Sequence, residues 1–335
     1  MTSVIEAETA SAPPPAPTRP ARARRIDLRP LRRAGIVIPF VALFVALAVT
    51  SSGFLTTTNL LNVLEQQSPT LVIAAAMTMV LVAGGIDLSA GATAALAAVV
   101  TAKVALHADP LVAVAAGIAV GAVAGVGNGV IATTFRIDPL IATLATSFVI
   151  SGIAGLVTHG NLVVLFDRPA FGDVARTDIL GVKSSVWIMV LVVAVLGFVL
   201  ARTVIGRYMY AAGGNDEAAR LAGVNVNGVR ITAYALTGAA AGLAGVLGTS
   251  RVLSAQADSG QNVTFAVITG VVVGGTSIMG GEGAIWKTVV GVLFVALVGN
   301  GSNLLGVDPL FQQIVLGAIM VLAVGLDVWS RQRGA

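Results

Sequence analysis

Ten long apolar runs alternate with short polar punctuation along the chain, at residues 35–52, 68–84, 88–106, 110–132, 139–157, 185–203, 231–250, 263–280, 285–304 and 309–328. Each is about 20 residues long, enough for an α-helix to cross the hydrocarbon of a bilayer. The pattern predicts an all-α fold, a polytopic helical membrane protein of about ten transmembrane helices surrounded by lipid. The gaps near 85–87 and 281–284 are short enough to read as breaks inside the membrane. No soluble domain of useful size fits between the runs.

Residues 1–34 depart from this pattern. They hold Pro13, Pro14, Pro15 and Pro17, then seven arginines between Arg19 and Arg33. Such a segment cannot bury a core and is expected to be a disordered Arg/Pro-rich cytoplasmic tail, leaving 35–330 as the membrane domain. It is not a signal peptide, because the apolar run begins too late and continues too long. With the N-terminus inside and ten spans, the C-terminus is also cytoplasmic. Fifteen basic residues then fall on the inner side, from Arg19–Arg33 through Arg136, Arg202, Arg207, Arg220, Arg230, Lys287, Arg331 and Arg333. Five fall outside: Lys103, Arg168, Arg176, Lys183 and Arg251. Cytoplasmic loops carry the excess of Lys and Arg, so this bias sets the orientation. The longest outer loop is 158–184 and the longest inner loop 204–230.

Composition narrows the chemistry. Hydrophobic residues make up 56% and charged residues 11%, with a mean hydropathy of +0.92; a soluble surface would need far more charge. The 39 glycines suit close helix packing in lipid. There is no cysteine, which excludes disulfides, thiolate metal sites and cysteine nucleophiles. His107 and His159 are too few for most histidine metal sites. The net charge of +4 reflects the arginines before the first span, a topology signal rather than a nucleic-acid arm.

The inner loop carries the sharpest local signal. Asn215 can cap a helix whose first turn holds Asp216 and Glu217, at the positive end of the dipole. Ala218 and Ala219 follow, Arg220 and Leu221 fill the last turn, and Ala222-Gly223 is the expected stop. Two turns are marginal alone in water, so the helix is expected to dock on another surface. A capped interfacial loop helix with no partner is the alternative.

This loop, with Gly228-Val229-Arg230 and the helix after it, resembles the coupling-loop region of bacterial ABC importer permeases of the ribose and simple-sugar family. Gly84-Gly85-Ile86-Asp87-Leu88-Ser89-Ala90-Gly91 is similar to that family's GGIDLS-type signature. Gly274-Gly275-Thr276-Ser277-Ile278-Met279-Gly280-Gly281-Glu282-Gly283 is similar to its late glycine-rich element. The resemblance spans roughly 35–328; the Arg-rich tail lies outside it. It implies a permease paired with a second, commonly identical, permease chain. Two ABC ATP-binding subunits would dock on the cytoplasmic face, and an extracytoplasmic sugar-binding protein would deliver the substrate. Residues 215–222 would be the coupling helix, with Leu221 and the alanines as its apolar contacts and Asp216, Glu217 and Arg220 as its polar rim.

The chain is expected to hydrolyse no ATP and hold no cofactor; ATP and Mg would sit on the partner subunit. Its nearest approach to a phosphate loop, Gly281 to Thr288, has Trp286 where a glycine must precede the lysine. Trp286 and Lys287 read as anchors of a helix start.

Polar residues in or near the spans carry two readings each. Asp87, with Ser89, can line a gate or cap a helix beginning at Leu88, and the cap is favoured. Asn128, among Gly125, Gly127 and Gly129, suits an interhelical hydrogen bond better than substrate contact. Gln66, beside Glu65 and Gln67, belongs either to a segment closing the outer mouth or to a solvated helix end, and Asn300 and Asn303 share that choice. An ion-coupled carrier would show acids or histidines in mid-span, whereas the candidates here sit mostly at segment ends.

Overall fold

The computed structural model describes residues 35–332; the tail expected at 1–34 lies outside them. Among the described residues there are thirteen α-helices, and all ten apolar runs are represented. The first five are α1 (Val37–Thr50), α2 (Thr57–Val82), α3 (Ala90–Ala105), α4 (Pro110–Thr134) and α5 (Pro139–Thr158). A short α6 (Asp173–Arg176) precedes α7 (Ser184–Arg202). Two loop helices, α8 (Val204–Gly214) and α9 (Asp216–Leu221), lead into α10 (Val226–Val252). The chain ends with α11 (Gln261–Val273), α12 (Ile285–Leu304) and α13 (Pro309–Gln332). Five of these, α4, α5, α7, α10 and α12, are both long and apolar enough to cross a membrane. Helices α1, α3, α11 and the Leu310–Leu322 part of α13 are apolar but shorter.

Two boundaries differ from the sequence expectation. Helix α2 begins at Thr57, ahead of the apolar run expected from Ser68, and Pro69 lies inside it. Thr56 caps it, its hydroxyl accepting from the Asn59 amide at 3.3 Å. The polar stretch through Gln67 hid this half of the helix from an apolar pattern. The run expected at 263–280 stops being helical at Val273, because Gly275, Gly280 and Gly281 all adopt positive φ, which L side chains resist and glycine does not.

Helix α2 is the axis of the bundle. Every residue from Leu71 to Ala83 is buried, so this half is enclosed by protein on all sides, as a helix that is apolar all round must be if it is not in lipid. Helices α7, α8, α10, α11 and α12 all contact it. The closest pairing is between α4 and α10. Gly117, Gly121 and Gly125 recur every fourth residue on α4 and meet Gly238 and Gly242 of α10. A Cβ at Gly121 would fall on the Gly238 carbonyl oxygen, and one at Gly125 on that of Tyr234. The two backbones touch because neither has a side chain there, the arrangement that drives helix association in lipid.

The 159–183 segment is folded as well. Its strand β1 (Val163–Val164) pairs antiparallel with β4 (Ser254–Ala255), and β2 (Asp178–Ile179) with β3 (Val182–Lys183) forms a hairpin. Arg176 donates to the Arg251 carbonyl from Nε at 2.8 Å and Nη2 at 2.6 Å. Ser250 Oγ donates to the Phe171 carbonyl at 2.7 Å. These bonds tie the segment to the C-terminal end of α10.

Candidate functional site

Helix α9 has the ends that its sequence specifies. Asn215 Oδ1 accepts from the Ala218 amide at 2.9 Å, the N-cap bond. At the other end Gly223 takes φ +84. Its amide bonds the Arg220 carbonyl at 2.9 Å, and the Val224 amide bonds that of Ala219 at 3.0 Å. This is the paired C-terminal closure that a left-handed glycine permits. Leu221 stands 86% exposed, large and apolar with little over it. Ala218 and Ala222 lie near it in sequence, with Glu217, and both Glu217 and Ala222 are exposed. Ala219 is different: it turns inward against Ala212 and Val226. The expectation that the alanines serve with Leu221 as apolar contacts for a partner does not extend to Ala219, which roots this short helix in the bundle.

The root of α9 is a junction of three glycine-rich segments far apart in sequence. The Gly281 amide donates to the Val82 carbonyl at 3.0 Å. A Cβ at Gly213 would land on that same carbonyl, and one at Gly280 would lie 2.9 Å from Gly84 Cα and 2.8 Å from the Gly213 carbonyl oxygen. Gly84, Gly213-Gly214 and Gly280-Gly281 thus meet backbone to backbone. Tyr210 on α8 closes the contact by donating to the Gly283 carbonyl at 2.7 Å, and burial pushes its phenol pKa up, keeping it a donor. Arg230, at the start of α10, spans from the junction to α9. Its Nε donates to the Ala83 carbonyl at 3.1 Å, and its Nη2 lies 3.9 Å from Asp216 Oδ2. Asp216 also faces Arg220 at 4.0 Å, and Arg220 donates to Asn227 Oδ1 at 3.2 Å. Beside them opens a cavity of about 500 Å³ reached by Arg136, Asp138 and Tyr234.

The chain between α2 and α3 is unwound, and each freed backbone group there would be costly in an apolar interior. Side chains satisfy several of them. Tyr234 Oη donates to the Ile86 carbonyl at 2.9 Å and accepts from the Ile86 amide at 3.2 Å. Thr143 Oγ1 accepts from the Leu88 amide at 3.0 Å. Asp87 is buried; its Oδ1 accepts from the Ser89 amide at 2.9 Å and from Ser89 Oγ at 2.6 Å. Asn128 on α4 donates to Ser89 Oγ at 2.6 Å, an interhelical bond. Asp87 is not an N-cap as expected: α3 starts at Ala90, flanked by Ser89. Residues 86–88 stay unwound because Tyr234 and Thr143 hold their backbone groups outside a helix.

The remaining candidates lie elsewhere. Asn300 exchanges two amide bonds with Asn59, at 2.8 and 3.1 Å, and Asn303 Oδ1 accepts from Gln312 at 2.8 Å. Gln66 lines a separate cavity with Gln256 and Arg251. Trp286 and Lys287 begin α12, the ammonium 5.8 Å from the indole centroid. Sequence reasoning assigned no site role to Arg230, Tyr210, Tyr234 or Thr143. The visible signal was a rare tyrosine, Tyr234, inside an apolar run and an arginine at that run's start.

A bundle with five helices of membrane length and an unwound break at its axis, joined to a capped and exposed loop helix, is that of a multi-pass membrane protein. A family model described as branched-chain amino acid transport system / permease component matches residues 59–324, and the chain belongs to this family of inner-membrane permeases. It is similar to the ribose import permease protein RbsC of Escherichia coli (strain K12), 40% identical over 262 residues, covering 76% of this chain and 82% of the relative. RbsC of Haemophilus influenzae is 36% identical over 263 residues, 76% of this chain and 81% of that protein. The L-arabinose ABC transporter permease protein AraH of Azospirillum brasilense is 34% identical over 296 residues, 88% and 87% of the two chains. No solved structure matches the chain.

Proposed function

We propose that this chain is the membrane-spanning permease subunit of an ATP-driven ABC importer for a monosaccharide. The observation that carries the reading is the rooting of α9. Its tip offers Leu221 to a partner, while the Gly213-Gly214 segment at its base touches both breaks in the bundle, at Gly84 and at Gly280-Gly281. A push on the tip therefore reaches the unwound axis through a few rigid contacts. The ribose and arabinose relatives support the substrate class.

In this reading the 204–230 loop faces the cytoplasm, where a separate ABC ATP-binding subunit seats on α9. Hydrolysis belongs to that subunit, with its ATP and Mg, and the chain described here carries the path. An extracytoplasmic sugar-binding protein delivers substrate to the opposite face, and a second copy of this chain completes the pore. Closure of the ATPases moves α9, the glycine junction shifts, and the pore exchanges access from one side to the other.

The test is reconstitution of the chain with its ATP-binding subunit and binding protein in proteoliposomes. Uptake of D-ribose or L-arabinose that requires ATP and survives collapse of ion gradients is the expected result. Uptake driven by an ion gradient without the ATPase would remove the proposal.

A further inference from the structure

Gln66 lies four turns before the end of α2, about 24 Å along the helix from the glycine junction. It opens into a cavity of about 370 Å³ between α2, α3, α10 and α11, a size within the range of small-molecule sites. Small residues line the walls, Ala94 and Ala98 on α3 and Gly248 on α10. A Cβ at Gly248 would meet nothing within 4 Å, so that position borders open space.

Two carboxamides reach this cavity, from Gln66 and from Gln256 in the turn after β4. Neither carboxamide is hydrogen-bonded to another described residue. Three other amide pairs in the bundle are satisfied within the chain, Asn59 with Asn300, Asn303 with Gln312 and Asn128 with Ser89. A carboxamide carries both donors and acceptors, which suits a hydroxyl that must do the same. Among the described residues, Arg251 is the one charged group on the wall and no carboxylate lines it, so the chemistry does not favour a cation. Pro69 and Val263, both partly exposed, add an apolar surface for the C–H face of a sugar ring.

We infer that this cavity is a sugar-accepting vestibule on the transport path, with Gln66 and Gln256 supplying its hydrogen bonds. The inference rests on the sugar-import reading above. Recognition here is two amides and a small-residue wall, enough to favour polyols without holding one tightly.

The experiment uses the reconstituted complex with D-ribose and L-arabinose as probes. Gln66→Ala with Gln256→Ala should lower initial uptake roughly tenfold, the effect of losing two hydrogen bonds. Complex assembly and ATP hydrolysis stimulated by the loaded binding protein should persist. A second measurement does not depend on that double variant folding. The chain has no cysteine, so Gly248→Cys places a single thiol at the cavity, and its alkylation should slow when the loaded binding protein delivers sugar. Unchanged uptake by the double variant, or alkylation indifferent to sugar, overturns the vestibule while leaving the permease reading in place. A wild-type complex that imports neither sugar defeats that reading, and the vestibule with it.

Discussion

At the scale of single residues, Arg230 links α9 to the end of α2, the two parts that the proposed function requires to move together. Its contact with Asp216 is the weaker of its two. The carboxylate is half exposed at 3.9 Å, and such pairs contribute about 0–1 kcal/mol. The bond from Nε to the Ala83 carbonyl comes from a charged donor in a less exposed place, where about 1.5–3 kcal/mol is usual. Arg230→Ala is therefore expected to reduce sugar taken up per ATP hydrolysed several-fold, with the ATP-binding subunit still bound. Asp216→Ala should have a smaller effect. The ratio of uptake to phosphate release measures both, and equal ratios in wild type and Arg230→Ala would dismiss the link. Leu221 makes the converse case. It is largely uncovered by its own chain, so Leu221→Asp should leave membrane insertion intact and abolish co-purification of the ATP-binding subunit; normal ATP-driven uptake would show that α9 is not the docking element.

At the scale of elements, the glycine seam between α4 and α10 holds the bundle together around the unwound 83–89 segment. Gly121→Leu inserts a side chain where the Gly238 carbonyl already lies. Overpacking costs about 1–3 kcal/mol when a core can adjust, and backbone against backbone leaves little to adjust. The variant should show a clear fall in thermal midpoint in detergent, whereas Gly127→Leu, with nothing within 4 Å of its Cβ, should not. Loop helix α9 was readable because its caps are written into adjacent residues, Asn215 and Gly223. The extent of α2 was not, because Pro69 and the amides before it imitate a helix start while Thr56 supplies the actual cap. The glycine doublets marked the breaks, yet nothing local in 84–85, 213–214 or 280–281 says that they converge. Such contacts depend on how α2, α8 and α11 stack, and a pattern read along one chain carries no term for that. The same limit hid Tyr234, whose partner Ile86 lies 148 residues away.

For the whole molecule, orientation in the membrane can be read out at two exposed points. Positive residues are retained on the cytoplasmic side, so the proposed orientation, with fifteen basic residues inside against five outside, puts α9 on that side and the β2–β3 hairpin on the other. Leu221 at the end of α9 is 86% exposed, and Leu180 at the hairpin tip is 90% exposed. Since the chain has no cysteine, Leu180→Cys and Leu221→Cys each create a unique thiol. In intact cells a membrane-impermeant maleimide should label the first and spare the second; inverted vesicles should reverse the result. This orientation is also what the proposed function requires. With ATP hydrolysed in the cytoplasm, the proposed function needs α9 and the glycine junction at its base on that side, and the vestibule proposed at Gln66, about 24 Å further along α2, toward the side from which sugar arrives. Labelling of Leu221→Cys from outside would invert the path and detach α9 from any cytoplasmic ATPase, leaving its exposed leucine without the role assigned to it.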